Sequence, residues 1–344
     1  MSSGVAPELL DASLRGGAVG DSLGAEIEFW SLSRIRAAFP AGLSELPAHD
    51  GRQGAMTDDT QMSLFTAEGI LEAYERGIER GIWHPPSSVH LALLRWLQTQ
   101  GQRSKHVTAP NMGLLSDRRL HVRRAPGLTC LSALQEAQTL GAPARNKSKG
   151  CGTIMRVAPV ALMLPEEMVQ DCAIECSALT HGHPTGQRAA AAWARLLRNV
   201  AGGADLETAA DAIAWDFAAL DGDETSSAIR LALSAPLDGD PETVETLGGG
   251  WVAEEALAIA LYACLAAKGF EQALQIAVTH SGGSDSTGAI AGNMLGLLYP
   301  DQVLKHSWTK QVECGDLISM LVTSYSRVLR LTQTAPPILK VGTD

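Results

Sequence analysis

Apolar residues recur at helical spacing along most of the chain. Residues 186–202 (GQRAAAAWARLLRNVAG) form an Ala- and Leu-rich run that ends at glycine, and 252–267 (VAEEALAIALYACLAA) repeats the same period. Residues 311–331 read as a late amphipathic helix. Further helices are expected at 60–78, 86–100, 167–179, 206–219, 224–234 and 286–298. Strand alternation is hard to find. The alternative is an α/β fold with short strands, such as one over 154–160. Segments containing Gly and Pro punctuate the pattern at 48–56, 83–88, 107–114, 141–153, 180–186, 235–250 and 280–285. The expected fold is therefore all-α, a compact multi-helix domain covering 1–344 with its core at about 11–331. The best linker candidate is 235–250, but unusual polar motifs lie on both sides of it, which favours one domain with a loop.

Composition narrows the class. A chain of 344 residues that is 45% hydrophobic and 19% charged can bury a sizeable core. Its net charge of -11 repels phosphate backbones, so no nucleic-acid partner is expected. No apolar run is long enough to cross a bilayer, and no basic segment followed by an apolar run opens the chain, so neither membrane nor secretory signal is expected. The six cysteines form no CxxC pair, and Cys172 and Cys176 read as core or surface thiols. A reducing cytoplasm fits this pattern.

Acidic clusters carry the first candidate chemistry. Met56-Thr57-Asp58-Asp59-Thr60-Gln61-Met62 sets two carboxylates side by side before a helical stretch. Adjacent carboxylates repel unless something positive sits between them, yet a helix start also favours negative charge without any metal. Thr279-His280-Ser281-Gly282-Gly283-Ser284-Asp285-Ser286-Thr287-Gly288 has the same hydroxyl-plus-acid design before another helix. Each alone reads as a capped helix. Together, more than 200 residues apart, they read as an oxygen-lined metal site suited to Mg2+ or Mn2+ over Zn2+.

Glycine and histidine segments add to this. The run Gly16-Gly17-Ala18-Val19-Gly20-Asp21-Ser22-Leu23-Gly24 places glycines four apart, a spacing that permits close helix packing and does not match a dinucleotide fingerprint. Glu28 follows beside Ile27 and Phe29, either a surface carboxylate or one whose pKa an apolar setting raises for acid or base work. The turn 146–156 (NKSKGCGTIMR) offers successive backbone N–H groups to a diphosphate, or is an ordinary glycine turn. In Thr180-His181-Gly182-His183-Pro184 the two histidines suit hydrogen bonding to a ribose or an exposed helix-cap loop. Trp251 is expected in the core, with stacking on a base as the alternative.

Taken in order, these segments resemble the ADP-ribosylglycohydrolase family, which includes the glycohydrolase that reactivates dinitrogenase reductase. The resemblance runs from about Leu14 to about Pro300 through GDSLGAEIEF, MTDDTQM, NKSKGCGTIMRVAPV, LTHGHPTG, GGGWVAEEALAIALY and SDSTGAIAGN. It implies an all-α fold around a two-metal centre. The implied metal ligands are Thr57, Asp58, Asp59, Asp285 and Ser286, and the implied catalytic carboxylates are Glu28 and Asp59. Gly150, Gly152, Met155 and His181 match segments lining the ADP-ribose cleft. One position departs: where the family has Asp-x-Asp, this chain has Gly283 two before Asp285, so one expected ligand to a metal is missing.

The activity implied is removal of ADP-ribose from a modified protein, N-linked arginine first, with an O-linked serine adduct or a small ADP-ribosylated molecule as runner-up. Gly283 implies reduced activity. It also supports the rival reading of a non-catalytic ADP-ribose binder, and a structural or inhibitory protein that keeps only the fold is a weaker third.

Overall fold

The computed structural model describes residues 4–106, 113–218 and 224–334. Among these, the regular structure is almost wholly helical. In chain order the first helices are α1 (Pro7–Gly24), α2 (Leu32–Ala38), α3 (Asp58–Arg80), α4 (Pro85–Thr99), α5 (Leu128–Glu136) and α6 (Ala158–Met163). They are followed by α7 (Glu166–Ala178), α8 (Pro184–Ala201), α9 (Leu206–Ala218), α10 (Glu224–Ser234) and α11 (Pro241–Glu245). The last are α12 (Ala253–Ala266), α13 (Phe270–Val278), α14 (Ser284–Leu298), α15 (Pro300–Lys305) and α16 (Gly315–Thr334). The described strands are one two-residue hairpin, Ala48–His49 with Arg52–Gln53. The all-α expectation holds. The stretch at 154–160 is a turn of 3-10 helix leading into α6, because Pro159 at the second helical position suits a helix start and cannot donate to a sheet.

The glycine spacing in α1 has a partner in α14. Alanine-type Cβ atoms at Gly16, Gly20 and Gly24 would fall inside the backbone of Gly292, Gly288 and Ser284 respectively. As one number rises the other falls, so the two helices run antiparallel with backbones in direct contact. Reciprocal hydrogen bonds seal the pair: Ser13 Oγ donates to Asn293 O and Asn293 Nδ2 donates to Ser13 O, both at 2.9 Å. This register sets the C-terminal end of α1 against the N-terminus of α14.

A single cluster of buried apolar side chains runs from Val5 to Val328 around this pair. Cys172 and Cys176 lie in it as core thiols, and all six cysteines are free. The linker candidate 235–250 is packed down: it contains α11, and the Tyr262 hydroxyl meets Pro236 O, Asp238 Oδ1 and Gly239 N within 3.0 Å. Most of the loop expected at 107–114 lies outside the described residues. No helix among those described is long and apolar enough to cross a membrane.

Candidate functional site

The two acidic clusters meet where α1 ends and α3 and α14 begin. Thr57 caps α3 and puts Asp58 and Asp59 in its first turn, while Asp285 lies in the first turn of α14. Asp21, on the buried face of α1, organises the approach. Its carboxylate accepts the Thr57 N–H at 3.0 Å, the Thr57 hydroxyl at 2.8 Å, the Thr60 N–H at 3.1 Å and the Thr60 hydroxyl. Sequence reasoning assigned Asp21 no role. An aspartate within the glycine-lined face of a packed helix was the available signal.

The three aspartates Asp58, Asp59 and Asp285 are buried. Asp58 Oδ2 accepts the Gly127 N–H at 3.1 Å, and Asp285 Oδ1 accepts the Ser286 N–H at 2.8 Å. Asp59 Oδ1 is buried with no hydrogen-bond partner. Burial first, then the neighbouring carboxylates, raises all three: Asp285 to about 7, Asp58 and Asp59 well above the usual range. Glu28, in the turn after α1, is pushed up to about 9 by burial and then by Asp285, Asp58 and Asp21. The helix N-termini pull the acids' pKa values down, so the upward shifts mean that burial and repulsion win.

An orphaned buried carboxylate oxygen amid mutually repelling acids is the environment a hard cation satisfies. The donors here are carboxylate and hydroxyl oxygens, with the Cys151 thiol 3.5 Å from Ser286 Oγ. Among the described residues no three His, Cys, Asp or Glu side chains converge closely enough to hold an ion by themselves. An ion here must therefore also take hydroxyl or water oxygens. Gly283 is the residue before α14 and contributes none.

Three further segments converge beside the carboxylates. The glycine turn pairs with the start of α12: Cys151 N donates to Trp251 O at 3.1 Å and Ala253 N to Lys149 O at 2.8 Å. It also binds the histidine loop, where His183 N donates to Ser148 O at 3.2 Å and Gly182 N to Asn146 Oδ1 at 3.0 Å. The N–H groups of Gly152 and Thr153 have no protein acceptor among the described residues. His181 is buried over Gly150 and Gly152, and burial lowers it to about 3, so it is neutral. His183 accepts from Thr185 N and caps α8. Met155 is buried; its carbonyl accepts from Ser63 Oγ at 3.1 Å, tying the turn to α3.

Trp251 is not in the core. It is 42% exposed and stacks on Phe29, itself 71% exposed, with ring centroids 5.0 Å apart and planes 21° from parallel. Phe29 has φ 66, a left-handed conformation that costs a non-glycine residue about 1–3 kcal/mol. The stack and the bond from Phe29 N to Gly282 O at 3.3 Å hold it. The glycines 248–250 gave the signal for an exposed tryptophan: they delay α12 until Ala253 and leave Trp251 outside it.

Comparison with known proteins bears on the chain as a whole. A family model described as ADP-ribosylglycohydrolase matches residues 9–336. The chain is 27% identical over 330 residues to an uncharacterized protein of Archaeoglobus fulgidus, covering 92% of this chain and 96% of that one. It superposes on a solved ADP-ribosylglycohydrolase-related protein complex with a TM-score of 0.69 and 22% identity, covering 94% of this chain and 98% of the other, a likeness of fold.

Proposed function

The chain belongs to the ADP-ribosylglycohydrolase family, and from that premise we propose that it is a divalent-metal-dependent hydrolase removing ADP-ribose from a modified protein side chain, arginine-linked first. The observation that carries this reading is the unpartnered, buried Asp59 Oδ1 among acids that raise one another's pKa values. Thr57, Asp58, Asp59, Asp285 and Ser286 would hold Mg2+ or Mn2+. Such an ion neutralises the acids and makes water a better nucleophile.

The chain's own groups supply the rest. Cleavage at the anomeric carbon passes through an oxocarbenium-like transition state that needs a proton on the leaving group. Glu28, whose carboxyl burial pushes up, would give a proton to the departing nitrogen. Asp59 is the carboxylate that would take a proton from the attacking water. The Gly152 and Thr153 N–H groups face no competitor for a diphosphate oxygen, and the Phe29–Trp251 stack offers an aromatic face for a base.

The test is release of ADP-ribose from an arginine-modified protein, with and without chelator. Turnover that stops on chelation and is lost with Asp59→Asn supports the reading. Activity only on serine-linked ADP-ribose replaces the substrate. Gly283 favours a second reading, a binder without turnover; calorimetric ADP-ribose binding with no release on either linkage selects it.

A further inference from the structure

Arg156 is a buried guanidinium with no carboxylate partner among the described residues. Its Nη1 donates to Gly152 O and lies 3.8 Å from Cys130 Sγ, while its Nη2 donates to Cys176 O at 3.2 Å and Thr180 Oγ1 at 2.8 Å. Thr180 Oγ1 is in turn 2.8 Å from His181 Nδ1. We propose that Arg156 and Thr180 are positioning residues: together they fix His181 as the tautomer that carries its proton on Nε2 and turn that N–H toward the ligand over the glycine turn. This rests on the ADP-ribose reading for the ligand's identity, but not for the tautomer.

The argument is one of hydrogen-bond direction. A guanidinium donates and never accepts, so Thr180 Oγ1 must accept from Arg156. The hydroxyl then has one proton to give. Its choices are His181 Nδ1 at 2.8 Å and Ser177 O at 3.5 Å, the latter at the edge of a hydrogen bond. Donation to His181 makes Nδ1 an acceptor. The neutral imidazole must then hold its hydrogen on Nε2. Nε2 has no hydrogen-bond partner among the described residues, and it lies 3.1 Å from where a Cβ on Gly150 would stand and 3.4 Å from one on Gly152. Side chains at those two positions would fill the space this N–H points into; glycine leaves it open for a ligand oxygen. The same guanidinium pulls the Gly152 carbonyl inward, so one buried cation shapes both the turn and the histidine above it.

The experiment is long-range proton–nitrogen NMR on imidazole-labelled protein without ligand, beside ADP-ribose calorimetry. The native protein should show His181 with a protonated Nε2 and an accepting Nδ1. Thr180→Val removes the hydroxyl at constant shape. It should mix the two tautomers and weaken ADP-ribose binding about tenfold, the loss of one hydrogen bond, while Thr180→Ser restores both. Arg156→Met, which removes the donor that obliges Thr180 Oγ1 to accept, should also lose the fixed tautomer; if it fails to fold, the Thr180 pair still decides. A native His181 protonated on Nδ1, or a Thr180→Val protein with an unchanged tautomer, overturns the relay. A fixed Nε2–H tautomer with no ADP-ribose binding by the native protein supports the relay and overturns the ligand reading instead.

Discussion

Replacing Gly20 by alanine tests the link between fold and site. In isolation the change favours a helix by about 1 kcal/mol. In place, the new Cβ would fall 1.9 Å from the carbonyl oxygen of Gly288, which is backbone and cannot swing aside. Ordinary contact is about 3.5 Å, so α1 and α14 must separate by about 1.5 Å at their centre. Overpacking of this kind costs about 3 kcal/mol, leaving a net loss of about 2 kcal/mol. For a chain of this length that lowers the melting temperature by about 3 °C. The binding penalty should be larger in kind, because Asp21 is the next residue and Asp285 starts the other helix. Circular dichroism melting and Mn2+ calorimetry read the two effects. Gly202→Ala, where the Cβ meets nothing nearer than Asn199 O at 3.3 Å and Arg198 O at 3.5 Å, is the control. A Gly20→Ala protein that melts at or above the native temperature would refute the close packing of the two backbones.

Other outcomes follow from the same geometry. Glu28→Gln should lower turnover at least about 100-fold with ADP-ribose affinity little changed; equal losses in both would make Glu28 a binding residue. In chelator, the melting temperature should fall as pH rises from about 4 to about 9, because Asp285 and Glu28 have folded pKa values raised from the ordinary carboxylate range to about 7 and about 9, and the stability they contribute, complete below that range, is lost as pH rises to the folded values. Millimolar Mg2+ should offset the fall, so a stabilisation by Mg2+ that does not grow across that window would count against the cluster as a cation site. At Gly283 a Cβ would stand 3.4 Å from Gly250 O and 3.5 Å from Trp251 Cε3, with φ -78, so Gly283→Asp should fold and tighten divalent binding at least about tenfold; unchanged affinity would make Gly283 a neutral variation.

Long periodic helices were legible in the chain, and α3, α8 and α12 fall within about two residues of their expected spans. Most shorter ones were not, and neither was the span of the 18-residue α1. α13 and α15 have nine and six residues, and so few turns give little periodicity to read. The glycine spacing in α1 announced a close helix partner but could not name it, since the matching glycines lie in α14, far along the chain. The acidic motifs located most of the carboxylates. Asp21 was hidden because its part is to accept four hydrogen bonds from the Thr57–Thr60 turn, and nothing in a sequence shows which segment an aspartate holds. Trp251 was placed in the core by residue type, whereas the three glycines before it put it on the rim.

The sequence left two accounts of the acidic clusters open, helix start or cation site, and burial bears on the choice. Asp205 shows what an acid serving a helix start does here. It is exposed before α9, its Oδ1 accepts the Thr208 N–H at 2.9 Å, and its pKa is lowered. Asp58, Asp59 and Asp285 lie instead inside the first turns of α3 and α14, where burial raises each of them, and Asp59 Oδ1 has no hydrogen-bond partner. Thr57 already accepts from the Asp59 N–H with its own hydroxyl, so α3 does not require two buried carboxylates to begin. A chain that needed only helix caps would be more stable with asparagine at 58 and 59, which keeps a side-chain oxygen and removes the repulsion. Asp58→Asn with Asp59→Asn should therefore raise the melting temperature in chelator while abolishing divalent binding. A double variant that melts lower in chelator would mean that the carboxylates serve the fold after all, and the case for a cation between them would lose its physical basis.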